Sequence, residues 1–522
     1  MIRSVETHTS LPSRRDAWPV VALVLLSIPI IFFGLGGYSV VNGDEAIYHR
    51  VATNMVESGN WFHLEFVGQH RVYDTFMNAP LQYWARALVI SLFGDNYWTM
   101  RILSALFGLG SVLATYGLVA YLFNRWAAFL SALVQLTTMQ FAYLHSARTG
   151  ELEPMICFML TLALLLLVRA VVERRSFVPH FVCLAVLMNL KLPLVIVPLG
   201  AGLVVLAATP EARGRLLQWI KTAAVVLPFG LLWHAGQFLA LGGNAFDEMA
   251  KVGAGDLDKE RFQSDYGRNL AFYLRTLFLG GFPYSTLYPL AAAAALRWAD
   301  GLRQRIGVRL ILAYPALLLV FFVLVGRHYE WYIVPMYPFA CALVGIFLDR
   351  LRHAWFGPWT AAAAALPLAV LAWVRIDVEG FNPFAGRATA MEPDFSMRTL
   401  GGVPPAVGLV ISAVAISLLF FATRAFLRRR AGLVAALLLA LLLAVGLHRT
   451  LYPLTFIPYV SEMERVRDEL AAARAAGEKL AYPILIQEKG HLRARYYFGD
   501  DFVVRRARHR DDAYFLLLRK ND

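Results

Sequence analysis

Apolar runs of about twenty residues recur along this chain, and they constrain its fold more than any other feature. An α-helix of that length crosses the hydrocarbon core of a bilayer. Only 16% of the 522 residues are charged and 58% are hydrophobic, whereas a soluble chain carries about 25% charged residues. The sequence therefore predicts an all-α polytopic membrane protein.

By length and hydropathy we count about thirteen predicted spans. They lie near residues 18–41, 97–123, 126–144, 154–172, 177–190, 192–208, 219–241, 272–297, 308–326, 331–349, 357–374, 404–423 and 431–447. Alternate loops are short and rich in arginine, so the positive-inside rule places them in the cytoplasm. The charged residues considered below then lie on the outer face. The number of spans is left open by one pair at 177–208, because two short apolar runs flank Lys191 there.

Three segments outside the spans have distinct patterns. Residues 45–58 and 78–92 repeat apolar positions at helical spacing between polar ones, which predicts amphipathic helices lying in the interface. Residues 244–270 are rich in charge, which predicts a solvated loop, and loops of that length are commonly functional or disordered. Residues 1–447 form the predicted transmembrane module.

The composition changes after this module. Ser461 and Glu464 form a capping box that opens a helix through Ala476. Runs at 479–487, 501–506 and 513–519 predict strands. Residues 448–522 are therefore predicted to form a small periplasmic α/β domain.

The net charge of +13 raises the question of nucleic-acid binding. The arginines stand in short loops between spans, so membrane topology accounts for them and no nucleic-acid partner is indicated. The three cysteines, Cys157, Cys183 and Cys341, lie inside apolar runs. Neither a disulfide framework nor a zinc site is predicted.

Asp44 and Glu45 stand together where the chain leaves the first span, at the start of a short helix. Sugar transfer from a phosphate-linked donor requires a base for the acceptor hydroxyl and stabilisation of the departing phosphate. Asp44 has the type and location of such a base. It can equally cap the helix, and the two roles are compatible. Glu45 in the first turn suits the helix dipole.

Further charged residues border the apolar runs. Charges there usually pair or line a cavity, because leaving one in hydrocarbon costs at least ~3 kcal/mol; a surface ion pair is the alternative. Lys191 has two interpretations, a phosphate contact or a side chain that reaches back to the surface. The residues are Arg148, Glu151 and Glu153 before Pro154, Lys191 between two runs, and Arg327 with His328. The segment that holds Arg327 and His328 also contains aromatic residues, which are expected of an interfacial belt.

Six motifs in order give the chain a family resemblance across residues 40–340. They are Gly43–Tyr48, Asn78–Trp84, Arg148–Pro154, Lys191–Pro193, Gly281–Tyr284 and Trp331–Pro338. In these stretches the chain resembles the integral-membrane glycosyltransferases of the C-type fold. The branch is the one that holds the protein O-mannosyltransferases and the lipid A aminoarabinose transferase.

The resemblance implies inverting transfer of a single sugar from a polyprenyl-phosphate-linked donor to an acceptor hydroxyl or phosphate on a lipid, glycan or protein. It implies a multi-pass protein of a bacterial inner membrane with its site facing the periplasm. Asp44 would be the base or acceptor-orienting acid, and Glu45 and Glu153 supporting carboxylates. The candidate donor contacts are Lys191, Tyr332, Arg327, His328, Asn78 and Tyr83. The sequence indicates no particular cofactor, and a divalent cation near Asp44 is compatible with it.

The chain departs from the aminoarabinose branch in one motif. Met77 and Asn78 replace a Glu and a Lys that are thought to help hold the donor, and Ile47 replaces an Arg. Asp74 is the candidate to take the place of the missing acid. These changes weaken the assignment of aminoarabinose as the sugar or lipid A as the acceptor.

Two other functions compete with the transferase. A glycan ligase or polymerase would use a lipid-pyrophosphate donor at the same face. A flippase or transporter is disfavoured, because the ionisable residues gather at one face and we find no internal repeat.

Overall fold

A computed structural model describes residues 17–40, 43–62, 64–68, 71–74, 79–143, 145–241, 265–326, 328–351, 440, 442–447, 450, 462–476, 484–487, 502–505 and 515–516. The helices are α1 (Trp18–Ser27, continued by a π-helical turn Ile28–Phe32), α2 (Gly43–Ser58), α3 (Leu81–Phe93), α4 (Tyr97–Leu122), α5 (Arg125–Leu136), α6 (Met139–Ala142), α7 (Glu153–Val172), α8 (Val178–Lys191), α9 (Ile196–Ala208), α10 (Pro210–Arg213), α11 (Leu216–Gly230), α12 (Leu232–Leu241), α13 (Tyr266–Gly280), α14 (Tyr288–Trp298), α15 (Gly301–Val325), α16 (Tyr337–Leu351) and α17 (Glu462–Ala475). Short 3-10 turns, Leu192–Val195, Tyr284–Leu287 and Glu330–Met336, precede α9, α14 and α16.

The predicted polytopic helical architecture is confirmed, whereas the count of thirteen spans stays a prediction. Within the described residues, five helical stretches are long and apolar enough to cross a membrane, or six if the bent pair Leu216–Gly230 and Leu232–Leu239 is one span. The predicted spans at 357–374 and 404–423 lie outside those residues, as does most of 431–447.

Besides the bent pair, two predicted spans are interrupted, for local reasons. The run 126–144 breaks between α5 and α6, where Thr137 and Thr138 turn their hydroxyls onto the carbonyls of Leu133 and Val134 at 2.8 and 2.7 Å. Such back-bonding competes with the helical ladder. The run 272–297 breaks between α13 and α14 at a segment that holds Pro283, whose ring cannot continue a helix.

The predicted cytoplasmic loops gather at one end of the helices. Trp18 packs on Trp126 with ring centroids 5.2 Å apart. Asn124 Nδ2 donates to Asp349 Oδ2 at 2.7 Å, and Arg305 Nη2 donates to Glu211 Oε1 at 2.8 Å. These contacts join loops that are remote in sequence, so the alternation of basic loops predicted the common end correctly.

The stretch 178–208 is a hairpin. Its backbone leaves the helical region at Lys191, where φ is −156° and ψ is 86°. Arg215, just beyond α9 and α10, donates to the carbonyl of Arg175, just before α8, at 2.7 Å. The two ends of the stretch therefore lie on the same side, and Lys191 lies at the far end.

Small residues let two of the central spans approach closely. A Cβ at Gly345 of α16 would lie 2.3 Å from the backbone nitrogen of Ser131 in α5. The Ser131 hydroxyl reaches the α16 carbonyl of Ala342 at 3.2 Å. Close packing through small residues is typical of helices in membranes, where burial from water drives association weakly.

The segments outside the spans agree with several predictions. Helices α2 and α3 lie where the two amphipathic helices are predicted, and their place in the interface stays a prediction. An antiparallel hairpin between them, β1 (Glu65–Gly68) and β2 (Arg71–Asp74), was not predicted. Most of the predicted loop 244–270 lies outside the described residues, but α13 already begins at Tyr266.

The C-terminal elements lie where the sequence predicts them. Strand β3 (Ile484–Gln487) pairs in parallel with β4 (Phe502–Arg505) and antiparallel with β5 (Phe515–Leu516). Helix α17 matches the predicted helix, whose capping residue Ser461 lies outside the described residues. The limits of a separate α/β domain stay a prediction.

Candidate active site

Three acid–base side chains from two remote segments meet at the start of α2. The ligand atoms of Asp44, His145 and Glu151 all lie within 4.8 Å of one another. Asp44 comes from the first turn of α2, and the other two from the turn-rich loop 143–152. His145 has a φ of 50°, an uncommon conformation for a non-glycine residue. The cluster is therefore assembled by tertiary structure.

Charge and stacking both fix the ring of His145. Its Nδ1 lies 3.3 Å from Glu151 Oε1, and its ring stacks on Trp331 with centroids 3.9 Å apart. Burial disfavours the charged imidazole, but the charge and the contact of Glu151 together with the charges of Asp44 and Glu153 outweigh burial and raise the pKa of His145 to about 9. The His145 imidazolium thus faces the carboxylates of Asp44 and Glu151 at neutral pH.

Glu45 is buried and fully engaged. Its Oε1 accepts from Arg101 Nε at 2.6 Å and from the backbone N–H of Gly150 at 3.0 Å, while Oε2 accepts from Arg101 Nη2 at 3.3 Å. Glu45 and Arg101 are both 0% exposed. Glu45 thereby ties α2 to α4 and to the loop that carries His145 and Glu151.

Two further buried arginines hold backbone around the cluster. Arg86 of α3 donates to the carbonyls of Met100 and, at 2.9 Å, Gly150. Arg148 donates to the carbonyls of Ile30, Ile31 and Phe33, where α1 and its π-helical turn end. This differs from the predicted pairing of Arg148 with acids, because the end of a helix leaves carbonyls that need donors.

Lys191 joins the site through Glu153. The Lys191 Nζ lies 3.9 Å from Glu153 Oε1 and 4.9 Å from the centre of the Tyr332 ring. Glu153 in turn lies within electrostatic range of Asp44 and Glu151. The acids of the first two outer segments and the lysine of the α8–α9 turn are therefore brought together, as the sequence predicts.

Tyr48 is a site residue that the sequence analysis missed. It lies one turn after Asp44 in α2 and is 7% exposed. Burial, followed by the charges of Asp44, Glu153 and Glu151, raises the pKa of Tyr48 well above its ordinary value. The predicted Tyr83 packs edge-on against it, with ring centroids 6.1 Å apart. The Tyr48 hydroxyl therefore stays protonated beside the carboxylates.

Of the remaining predicted residues, His328 is the one whose side chain the structure describes. His328 stacks on Phe272 with centroids 4.6 Å apart, and its Nε2 lies 2.7 Å from Asn269 Oδ1 of α13. Asp74 lies in β2, of which the backbone is described. Asn78 and Arg327 lie outside the described residues.

One missed residue had a signal in the sequence. Arg101 stands inside the predicted span 97–123, where an ionisable residue is costly and usually functional. His145 carried no such signal, because a single histidine beside an aromatic-rich run has no ligand spacing.

The fold and the clustered acids define a class, namely polytopic membrane proteins that resemble the C-type-fold glycosyltransferases of the mannosyltransferase and aminoarabinose transferase branch. Residues 77–233 match the family model described as dolichyl-phosphate-mannose-protein mannosyltransferase. The crystal structure of ArnT from Cupriavidus metallidurans bound to undecaprenyl phosphate is similar with a TM-score of 0.63 and 19% identity, covering 94% of this chain and 86% of that one. That likeness shows the fold.

Curated relatives extend the resemblance. An undecaprenyl phosphate-alpha-4-amino-4-deoxy-L-arabinose arabinosyl transferase of Pseudomonas aeruginosa is 26% identical over 373 residues, 65% of this chain and 61% of the relative. An uncharacterized protein of Aquifex aeolicus is 26% identical over 339 residues, 63% of each chain. The chain thus spans less than two thirds of the length of these relatives. The resemblance predicted from the six motifs is confirmed.

Proposed function

We propose that this protein is an inverting glycosyltransferase that moves one sugar from a polyprenyl-phosphate-linked donor to an acceptor on a lipid, glycan or protein. The supporting observation is the meeting of Asp44 with His145 and Glu151 beside the pair of Lys191 and Glu153. Asp44 can take a proton and Lys191 can face a phosphate at the same end of the helices. The ArnT structure, bound to undecaprenyl phosphate, supports the donor class.

The proposed reaction is a single displacement. Asp44 accepts the proton of the acceptor hydroxyl as the hydroxyl oxygen attacks the anomeric carbon of the sugar. The bond from that carbon to the phosphate oxygen breaks, and the polyprenyl phosphate leaves with the electron pair. The Lys191 ammonium stabilises the charge that develops on the phosphate, since preorganised charge acts most strongly in a water-poor site. Attack opposite the leaving group inverts the configuration.

Glu45 has a positioning role in this proposal, not a catalytic one. Its two oxygens already accept three hydrogen bonds, two from Arg101 and one from Gly150. Glu151 and Glu153 would be supporting carboxylates. Asp74, Asn78 and Arg327 remain candidates for donor or acceptor contacts. His328 is a weaker candidate, because its ring is already held by α13.

The site is proposed to face the exterior of a bacterial inner membrane. Support comes from the basic loops, which meet at the opposite end of the helices from Lys191. Under the positive-inside rule those loops are cytoplasmic. The donor would then enter from the outer leaflet.

A divalent cation is also proposed, at Asp44, His145 and Glu151. Glu151 is 0% exposed; its Oε1 faces His145 Nδ1 at 3.3 Å, and its Oε2 has no hydrogen-bond partner within the described residues. Imidazole and carboxylate are ligands for several divalent ions. A bound cation would take the place of the proton on His145 and supply Lewis acidity to an acceptor oxygen.

We expect Mn²⁺ titrated into the metal-free protein to bind at one site. Glu151→Gln should abolish this binding, whereas Glu173→Gln, in an ion pair with Arg175 at the other end, should leave it unchanged.

The experiment that tests the transferase proposal is mass spectrometry of envelope lipids and polysaccharides from cells with and without the gene. We expect one species to lose the mass of a single sugar when the gene is deleted, and the mass to return on complementation. Loss of whole oligosaccharide units would favour the ligase or polymerase. Accumulation of an unchanged lipid-linked sugar on the cytoplasmic side would favour a flippase.

A further inference from the structure

The segment that leads into Asp44 is held at several points by one side chain. Arg101 Nη1 donates to the carbonyls of Leu35 and Tyr38 at 2.8 and 2.7 Å, and Nη2 donates to the carbonyl of Ser39 at 2.9 Å. Its remaining donors go to Glu45. All five N–H groups of the guanidinium are thereby used. The guanidinium also lies 3.7 Å from the centre of the Tyr38 ring.

A second contact with this segment comes from the other end of the chain. The hydroxyl of Ser39 donates to Glu464 Oε2 in α17, 425 positions away. Ser39 is fully buried. Its carbonyl is therefore fixed by the membrane part through Arg101 and its hydroxyl by the C-terminal helix, five residues before Asp44.

Glu464 is itself held in place on α17. Its Oε1 accepts from Arg467 Nη2 at 3.3 Å, and Arg467 also pairs with Asp468 at 2.7 Å. Arg467 lies within electrostatic range of Tyr97, the first residue of α4, whose ring lies 5.6 Å from the Arg101 guanidinium. Two side chains of α17 thus reach the same region of the membrane part.

We propose that α17 is a positioning element of the active site, with Glu464 acting through Ser39 to hold the segment 35–39 and hence Asp44 in register with the donor. The proposal deepens the proposed function and rests on it for its kinetic part. Glu464 is a positioning residue, because its contact is with Ser39. A base displaced by about 1 Å can slow a reaction about a hundredfold, so the orientation of Asp44 is sensitive to this contact.

The test has a structural readout that does not depend on activity. Amide hydrogen exchange of residues 35–45 is measured in the purified full-length protein for Glu464→Ala, Ser39→Ala and the double variant. We expect both single variants to raise exchange there about tenfold, and the double variant to add little. Glu469→Ala, an exposed acid on the same helix, is the matched control and should leave exchange unchanged.

Glu464→Gln separates the hydrogen bond from the charge. The amide oxygen still accepts from Ser39, so we expect exchange close to that of the native protein. In the transfer assay, Glu464→Ala should lower kcat about tenfold with the donor KM unchanged, and Glu464→Gln should restore most of the rate. If Glu464→Ala does not fold, Ser39→Ala carries the exchange test.

Unchanged exchange in Ser39→Ala, or equal changes in Glu464→Ala and Glu469→Ala, would overturn the proposal. If the variants raise exchange but the native protein shows no transferase activity, the positioning role stands and the proposed function is refuted. Additive effects in the double variant would show that the two residues act separately, which also overturns the link.

Discussion

Asp44→Asn protein should transfer sugar about 10²- to 10⁴-fold more slowly than the native protein, which is the typical contribution of a positioned general base. The amide is nearly isosteric with the carboxylate and fits the same place in the first turn of α2, but it cannot accept the proton of the acceptor hydroxyl. Folding and donor binding should therefore change little. The measurements are the single-turnover transfer rate and the affinity for polyprenyl phosphate in nanodiscs.

Two variants sharpen this prediction. Glu57→Gln removes a carboxylate that is 60% exposed on the same helix and should transfer at the native rate. Lys191→Ala should differ from Asp44→Asn in that it weakens donor affinity at least about tenfold as well as slowing transfer, because a hydrogen bond to a charged group is worth ~1.5–3 kcal/mol. Native-rate transfer by purified Asp44→Asn protein would exclude Asp44 as the base.

Arg101→Ala should destabilise the protein by about 3–5 kcal/mol, the usual cost of breaking a buried ion pair from one side. The substitution leaves the Glu45 carboxylate, which is 0% exposed, without its cationic partner. It also leaves the carbonyls of Leu35, Tyr38 and Ser39 without the donors described above. We expect a markedly lower midpoint of thermal unfolding in detergent and poor recovery of folded protein.

Two control variants for Arg101 change the number of hydrogen-bond donors and the exposure of the ion pair. Arg101→Lys keeps the charge but has three donors in place of five, so it should be intermediate. Arg305→Ala breaks a pair with Glu211 in which both side chains are 46% exposed, and it should cost at most about 1 kcal/mol. Equal losses for Arg101→Ala and Arg305→Ala would contradict the central role of the buried pair.

The sequence predicted the features that depend on local length, hydropathy and charge. The apolar runs predicted the helices, and the alternation of arginine loops predicted which ends of the helices share a side. That parity alone placed Lys191 at the same end as Glu153, which the structure finds 3.9 Å away. Two short runs around Lys191 also predicted the turn between α8 and α9.

The remaining features depend on which helices are neighbours, and sequence pattern does not carry that information. His145 meets Asp44 only because the loop 143–152 folds against the start of α2. The acceptors of Arg148 are backbone carbonyls, which have no signature in the residue pattern. The break at Thr137 was hidden because threonine fits an apolar run until its hydroxyl bonds back to the helix.

The turn at Lys191 bears on how deep a lipid headgroup would lie in the proposed donor complex. Helix α8 has 14 residues, so its length is about 21 Å at 1.5 Å per residue, against a hydrocarbon thickness of about 30 Å. A helix of that length that begins at the cytoplasmic boundary would end short of the opposite boundary. Under the proposed function, a phosphate that contacts the Lys191 ammonium would therefore lie below the plane of the neighbouring headgroups, together with the sugar that it carries.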